Sequence, residues 1–285
     1  MTVNTIGVIG AGQMGSGIAQ VFAMAGFKVI MQDVKDEFVA KGLSVIKNSL
    51  AKFLEKQKIS QEIHNAALAN IKTTLNLKDM ADCDIIIEAA PEDINLKLEV
   101  FKKLDEAVKK DAILATNTSS ISIAKIAGVT RRPDKVIGMH FMNPVPVMQC
   151  VEIIRSSKTS EATYDCVKEL VKKLGKTAVT ASDSPGFIMN RINRILIPMI
   201  NEAISALHEN VATAEDIDTG CKLSFNWPMG PLALADLIGL DTCLAIQRVL
   251  YKEFKDEKYK PCAMLEECVN KGWLGRKTKR GFYLY

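Results

Sequence analysis

The segment VIGAGQMGSG, at residues 8–17, limits what this chain can fold into more than any other. Its Gly10, Gly12 and Gly15 have the spacing G-x-G-x-x-G, between a short apolar run and a stretch of helical periodicity. At such a turn the first glycine makes the tight bend, the second lets the backbone approach a pyrophosphate, and the third lets helix pack on strand. The helix N-terminus offers unpaired N–H groups to phosphate. The segment predicts a dinucleotide-binding βαβ unit, and a glycine turn without a ligand is the simpler alternative.

Asp33 ends the next apolar run, KVIMQD, 18 residues after Gly15. The motif expects a ribose-binding acid about 20 residues beyond its glycines, so Asp33 is close to that position. A carboxylate at that point accepts hydrogen bonds from the ribose hydroxyls of NAD and repels the 2′-phosphate of NADP. The sequence therefore predicts NAD as the cofactor, bound by Gly10, Gly12, Gln13, Met14, Gly15 and Asp33.

Short apolar runs alternate with amphipathic stretches through the N-terminal two thirds of the chain, which is typical of a parallel sheet built from βαβ units. Helices are predicted at 13–25, 36–57, 96–108 and 159–174. After Ser184-Pro185-Gly186 the apolar residues fall at helical spacing instead. We predict an α/β fold with two domains. A Rossmann-type domain at 1–186 has a mostly parallel sheet flanked by helices, and 187–285 forms an all-α domain.

Further helices of the second domain are predicted around 214–223, 232–254 and 262–271 from the spacing of their apolar residues. Pro198 falls inside the first helix of this domain. An interior proline removes a backbone hydrogen bond, so we expect a bend or a break there.

The composition excludes several classes of protein. The 285 residues are 48% hydrophobic with a net charge of +4, as expected of a soluble globular protein, and nothing demands a nucleic-acid partner. The seven cysteines show no CxxC spacing and no cluster with histidine, so we expect reduced thiols and no metal site. We find no signal-peptide pattern and no apolar run long enough for a membrane span. We predict a cytoplasmic protein with no membrane partner.

The segment GMHFMNPVPVMQCVEII, at residues 138–154, holds His140, one of three histidines in the chain, and Glu152, an isolated carboxylate in an apolar run. The prolines between them exclude a helix. If the flanking segments pair as antiparallel strands, Glu152 can contact the imidazole, fix its tautomer and favour its protonated form. Such a pair is suited to acid–base catalysis. Each residue alone is more often a polar group of purely structural importance.

The segment TNTSS, at 116–120, follows the predicted strand AILA. It places Asn117 and Ser119 at the carboxyl end of a parallel strand, where ligands bind in open α/β sheets. An ordinary turn or a helix N-cap would have the same composition.

Several sequence blocks, in order, resemble the 3-hydroxyacyl-CoA dehydrogenase family: VIGAGQMGSGIAQ, IIIEAAPED, LATNTSSISI, GMHFMNPVPVM, VEII, DSPGFIMNRI and PMGPLALADLIGLD. The resemblance continues to the terminal LGRKTKRGFYLY and covers nearly the whole chain. Because we see no pattern of a transit peptide or of a fused hydratase domain, we expect the chain to resemble the bacterial 3-hydroxybutyryl-CoA branch of the family. Met142 and Trp227 depart from the family pattern, which leaves the preferred acyl chain length open.

The resemblance implies a role for each matching residue. His140 exchanges a proton with the 3-hydroxyl group, Glu152 orients and charges His140, and Ser119 binds the reacting oxygen. Asn190 also holds the substrate, in a cleft between the domains. The resemblance further implies contacts to the nicotinamide half of NAD from Glu92, Lys97 and Asn117. Without it, Asn190 reads as an ordinary helical polar residue.

Five lysines lie between 41 and 58, namely Lys41, Lys47, Lys52, Lys56 and Lys58. Such a run is usually a solvated helix face. Coenzyme A carries three phosphate groups, however, and no other part of the chain has a comparable basic cluster. Because Lys52 and Lys56 are four residues apart and share one helix face, we predict that these two bind the adenosine phosphates of the acyl-CoA substrate.

Three functions are consistent with these features. The first is NAD-dependent interconversion of 3-hydroxybutyryl-CoA and acetoacetyl-CoA. The second is a related dehydrogenase of a free sugar acid, of the L-gulonate type, and the third is an NAD-binding protein without turnover. The resemblance also implies a homodimer formed through the C-terminal domain, where apolar residues such as Leu232, Leu237 and Leu240 lie on more than one helix face.

Overall fold

A computed structural model describes residues 2–285, which form two compact units divided between Ile188 and Met189. The first unit contains one eight-stranded sheet with the strands β1 Thr5–Ile9, β2 Lys28–Gln32, β3 Ile71–Thr74, β4 Ile85–Glu88, β5 Ile113–Thr116, β6 Val136–Phe141, β7 Cys150–Arg155 and β8 Thr177–Ser182. Its helices are α1 Gln13–Met24, α2 Asp36–Glu55, α3 Gln61–Ala69, α4 Ile94–Ala107, α5 Ile123–Ala127 and α6 Glu161–Lys173.

The strand order of the sheet is β3-β2-β1-β4-β5-β6-β7-β8. All neighbouring pairs are parallel except β6 and β7, which are antiparallel. Strands β4, β5 and β6 are buried along their whole length, as parallel strands covered on both faces must be. The order reverses between β1 and β4, so a ligand crevice is expected at the carboxyl ends of these two strands. The predicted fold class is confirmed.

Three elements of the sheet unit, α3, β3 and α5, lie outside the sequence predictions, and the start of β7 differs. The sequence predicted no element for 61–74, where α3 and β3 lie, or for 123–127, where α5 lies. The apolar run VMQCVEII predicts a strand from Val147, but β7 begins at Cys150, because 143–148 forms the turn between β6 and β7.

The second unit is helical, with the helices α7 Met189–His208, α8 Ala214–Phe225, α9 Pro231–Ile238, α10 Leu240–Phe254 and α11 Ala263–Asn270. One apolar core joins them, built from residues such as Ile200, Leu232 and Leu244. Helix α7 runs without interruption through Pro198, so a break at this residue is wrong. A single helix across 232–254 is wrong too. Gly239 separates α9 from α10 with a φ of 102°, a backbone conformation that side chains disfavour.

No helix within residues 2–285 has both the length and the apolar character needed to cross a membrane.

Candidate active site

The loop between β1 and α1 has the shape of a phosphate cradle. Gly10 has a φ of 92°, and a Cβ there would lie 2.7 Å from the carbonyl oxygen of Ala89 at the end of β4. A Cβ on Gly15 would collide with the Gly10 carbonyl oxygen, which explains why helix and strand pack so closely. A Cβ on Gly12 would meet no atom within 4 Å, because Gly12 faces open space. The backbone of this chain therefore leaves room at Gly12 for a pyrophosphate to approach.

Asp33 is held in place at the end of β2 by two backbone N–H groups. Its Oδ2 accepts a hydrogen bond from Ala11 N at 2.7 Å, and its Oδ1 accepts one from Val34 N at 2.7 Å. Each carboxylate oxygen has further lone pairs, so both can still accept from a ribose hydroxyl. The carboxylate is thus oriented before any ligand binds.

A cavity of about 1060 Å³ begins at the glycine loop and extends past Asp33. Gly10, Gly12, Gln13 and Met14 line one end of it. The other end is mainly apolar and is lined by residues that sequence reasoning missed: Val34, Phe38, Val45, Leu77, Leu96 and Val100. Several of these side chains are unusually exposed for their type, including Val34 at 75%. Apolar walls with a few oriented polar groups are characteristic of a cofactor site, and a flat adenine ring would cover this surface.

Replacing Asp33 with alanine is expected to weaken NADH binding by roughly tenfold, since it removes an oriented acceptor of ribose hydrogen bonds. The same change is expected to reduce the preference for NADH over NADPH, because the repulsion of a 2′-phosphate is lost. Fluorescence titration with both cofactors measures the two effects. Asp36→Ala, in the exposed first turn of α2, serves as the matched control. Wild-type selectivity for NADPH would contradict the prediction.

His140 and Glu152 form a buried pair on adjacent strands. They lie directly opposite each other in the antiparallel register of β6 and β7, which places their side chains on the same face. His140 Nδ1 lies 3.0 Å from Glu152 Oε2. Glu152 is fully buried, whereas 11% of the His140 side chain is exposed. The imidazole is therefore oriented through Nδ1 by a carboxylate, and Nε2 is the ring nitrogen left to exchange a proton.

Glu152 has a second partner through its other oxygen. Oε1 accepts a hydrogen bond from the backbone N–H of Ile188 at 2.6 Å. Ile188 is the last residue of the first unit. The same carboxylate thus holds both the imidazole and the end of this unit.

Glu92 organises the loop that carries Ser119. Its Oε1 accepts hydrogen bonds from Thr118 Oγ1 at 2.6 Å, from Ser119 N at 2.9 Å and from Ser119 Oγ at 3.2 Å. It also accepts from the backbone N–H and the hydroxyl of Ser120. Burial alone would raise the pKa of Glu92, but the hydrogen bonds from this loop and the charge of Lys97 hold the pKa below its usual value. Glu92 is therefore an ionised acceptor around which the serine loop folds.

Lys97 is buried beneath this loop between two carboxylates. Its Nζ donates to Glu88 Oε1 at 2.6 Å and to the Ala90 carbonyl oxygen at 3.1 Å, and lies 3.5 Å from Glu92 Oε2. Glu88 also accepts from Thr116 Oγ1 at 2.7 Å. Buried charges are tolerated when they are paired in this way. The sequence pattern IIIE gave no signal for Glu88, because a carboxylate that ends an apolar strand reads as a surface residue.

The remaining predicted site residues lie in separate places. Asn117 Oδ1 accepts from the backbone N–H of Phe141 at 2.8 Å, which ties the end of β5 to the end of β6. Lys52 and Lys56 are exposed at the C-terminal end of α2, whereas Lys41 lines the cofactor cavity. Asn190 belongs to α7 of the second unit.

Comparison with known proteins gives matches along almost the entire chain. Residues 5–184 match the sequence model described as 3-hydroxyacyl-CoA dehydrogenase, NAD binding domain. Residues 186–285 match the model described as 3-hydroxyacyl-CoA dehydrogenase, C-terminal domain. The first match confirms the prediction that the cofactor is NAD.

Individual relatives agree with these matches. The chain is 50% identical to a 3-hydroxybutyryl-CoA dehydrogenase of Bradyrhizobium diazoefficiens, over 99% of this chain and 96% of the relative. It is 51% identical to a 3-hydroxybutyryl-CoA dehydrogenase of Clostridioides difficile, over 98% of this chain and 99% of the relative. The crystal structure of (S)-3-hydroxybutyryl-CoA dehydrogenase from Ralstonia eutropha is similar with a TM-score of 0.81 and 50% identity, covering 100% of this chain and 99% of that one. This chain therefore belongs to the 3-hydroxyacyl-CoA dehydrogenase family.

Proposed function

We propose that this protein interconverts (S)-3-hydroxybutyryl-CoA and acetoacetyl-CoA with NAD as the redox cofactor. The observation that carries the proposal is the buried His140–Glu152 pair at the carboxyl end of the sheet that also bears the glycine loop. The relatives named 3-hydroxybutyryl-CoA dehydrogenase, at about half identity over the full chain, support the choice of substrate.

The chemistry assigns a distinct task to each group. NAD, when bound, exchanges a hydride with C3 of the substrate. In the oxidising direction His140 Nε2 accepts the proton of the 3-hydroxyl group, and in the reducing direction it returns that proton to the carbonyl oxygen. Glu152 keeps the Nδ1 proton in place and stabilises the imidazolium ion that forms. The pair therefore performs the proton transfer.

Ser119 is suited to bind the reacting oxygen, since a hydroxyl can donate to a carbonyl oxygen or accept from an alcohol. In the structure its Oγ lies 3.2 Å from Glu92 Oε1 and donates to it, so binding a substrate carbonyl requires this donor to be redirected. Asn190 is proposed as a further substrate ligand, on the strength of its match to the family pattern DSPGFIMNRI. Asn117, Glu92 and Lys97 are proposed to shape the nicotinamide side of the site.

Oxidation of NADH in the presence of acetoacetyl-CoA tests the proposed function directly. Rapid loss of NADH absorbance with acetoacetyl-CoA, and little with free acetoacetate or a sugar acid, is the expected result. Longer 3-ketoacyl-CoA esters establish the chain-length preference in the same assay. Turnover of a free acid without turnover of the CoA ester would contradict the proposal.

Lys52 and Lys56 are proposed to bind the adenosine phosphates of coenzyme A. Both lie exposed at the end of α2, and neither makes a salt bridge with another residue in the range 2–285. Reversing both charges to glutamate is expected to raise the KM for acetoacetyl-CoA by roughly ten- to a hundredfold, since the two ionic contacts to phosphate together contribute about 1.4–2.8 kcal/mol.

The matched control reverses the charges of Lys172 and Lys173, an exposed pair on α6 whose side chains do not line the cofactor cavity. Steady-state kinetics with each substrate varied in turn separate the effects. The KM for NADH is expected to stay unchanged in the Lys52/Lys56 variant. An unchanged KM for acetoacetyl-CoA would remove these lysines from the substrate site.

We further propose that the protein forms a homodimer through the helical unit and acts in the cytoplasm. The exposed apolar side chains Leu223, Phe225 and Val249 of that unit support a self-association surface. All seven cysteines are free thiols, which fits a reducing compartment. Gel filtration with light scattering is expected to give twice the mass of the chain.

A further inference from the structure

Lys176 is a buried lysine immediately before β8, and its ammonium group donates hydrogen bonds to two backbone carbonyl oxygens. Only 9% of the residue is exposed. Its Nζ donates to the carbonyl oxygens of Val145 at 2.8 Å and of Met148 at 2.7 Å. No carboxylate in the described part of the chain lies within salt-bridge distance of it. Burial without an acidic partner also lowers the pKa of this lysine.

Both carbonyls belong to the turn 143–148, which joins the strand of His140 to the strand of Glu152. Within this turn, the N–H groups of Val147 and Met148 both donate to the Pro144 carbonyl oxygen at 3.0 Å. The next residue, Gln149, accepts through its carbonyl oxygen from Thr177 N at 2.8 Å. Lys176 therefore closes the turn from the side of β8 and satisfies carbonyls that would otherwise lack a buried donor.

The opposite side of this turn lies against the cofactor loop. Gln13 Nε2, at the start of α1, donates to Asn143 Oδ1 at 3.1 Å. Val145 is 2% exposed and packs on Gly17 of α1, where a Cβ would lie only 2.9 Å from the Val145 Cβ. The turn 143–148 is thus packed between Lys176 and the helix that follows the glycine motif.

We propose that Lys176 is a positioning residue that fixes the turn 143–148 against α1, and thereby sets the distance between the His140–Glu152 pair and the cofactor loop. Burying an ammonium group without a carboxylate partner costs free energy. The two hydrogen bonds to the Val145 and Met148 carbonyls offset part of that cost, because both carbonyls are then satisfied. These bonds also hold one turn at two points and so define where Val145 and Asn143 meet α1.

Two substitutions test the role. Lys176→Met keeps the volume and removes both hydrogen bonds, and Lys176→Arg keeps donors in the site. For Lys176→Met we expect faster deuterium exchange at the Val147 and Met148 amides, weaker NADH binding in fluorescence titrations, and a kcat about 10- to 100-fold lower. A misplacement of about 1 Å is sufficient for a loss of that size. Lys176→Arg is expected to recover part of the NADH affinity and of the exchange protection.

Two control variants separate positioning from general stability. Lys172→Met removes an exposed lysine on α6 and is expected to change none of these quantities. Leu170→Ala creates a cavity in the core beneath α6 and is expected to lower thermal stability while both hydrogen bonds of Lys176 to the turn remain. If Lys176→Met lowered the melting temperature as Leu170→Ala does, but left turn exchange, NADH affinity and kcat at wild-type values, Lys176 would be a structural residue only.

The expected change in kcat rests on the proposed function, whereas the expected changes in amide exchange and in NADH affinity do not. A wild-type enzyme inactive on acetoacetyl-CoA would overturn the proposed substrate. The role of Lys176 would then be decided by amide exchange and cofactor affinity, both measured without substrate.

Discussion

Replacement of His140 by alanine is expected to lower kcat for NADH-dependent reduction of acetoacetyl-CoA by about 10²- to 10⁴-fold, the usual contribution of a general acid or base. The imidazole is the only group of the buried pair that reaches solvent, since Glu152 is fully buried. Removing it leaves the glycine loop and Asp33 untouched, so the affinity for NADH is expected to stay within about twofold of wild type. Stopped-flow kinetics and fluorescence titration measure the two quantities.

His64 provides a matched control for this substitution. It lies on α3, where its ring contacts Gln61 and Asn65, and has no link to the site. His64→Ala is expected to retain full activity. Residual turnover of His140→Ala above one tenth of wild type would show that another group carries the proton and would remove the pair from the mechanism.

Replacement of Glu152 by glutamine is expected to lower kcat by a similar factor for a different reason. In the wild type His140 Nδ1 and Ile188 N can both donate to this carboxylate, at 3.0 and 2.6 Å. A glutamine has only one acceptor oxygen, so its NH₂ group must face either the imidazole or the Ile188 N–H. If NH₂ faces the imidazole, Nδ1 has to accept, the proton moves to Nε2, and His140 can no longer take a proton from the substrate.

If NH₂ instead faces the Ile188 N–H, two donors oppose each other in a buried site. That arrangement is expected to lower the free energy of unfolding by about 1–3 kcal/mol, the cost of an unsatisfied buried donor. Thermal unfolding and kcat measured on the same variant therefore distinguish the two orientations. Glu161→Gln, which breaks only an exposed ion pair with Arg155, is the matched control. Wild-type values for both quantities in Glu152→Gln would contradict the assigned role.

The sequence was sufficient to predict the features that follow from local patterns. The glycine spacing predicted the first βαβ unit, and the proline-rich segment after His140 predicted the antiparallel turn to Glu152. These features have local causes, because glycines with special φ angles and prolines without N–H groups restrict the chain wherever they occur.

Features that depend on long-range packing could not be predicted in this way. Glu88 and Lys97 neutralise each other in the interior, and neither residue carries a sign of its partner in the sequence. The apolar end of the cofactor cavity combines residues from three separate segments, represented by Phe38, Leu77 and Val100. The division of 232–254 at Gly239 was missed because the apolar spacing continues across the glycine.

The hydrogen bond from Ile188 to Glu152 also defines how far the sheet unit extends along the chain. A shortened protein that ended at 184, the limit of the first family match, would lack Phe187, which is 3% exposed in the core. It would also lack the Ile188 N–H that donates to Glu152 Oε1. Ending after Ile188 keeps both. The shortest version of the cofactor-binding half that keeps these contacts is therefore set by Glu152, and protein engineers who exchange or transplant this half should place the junction after Ile188.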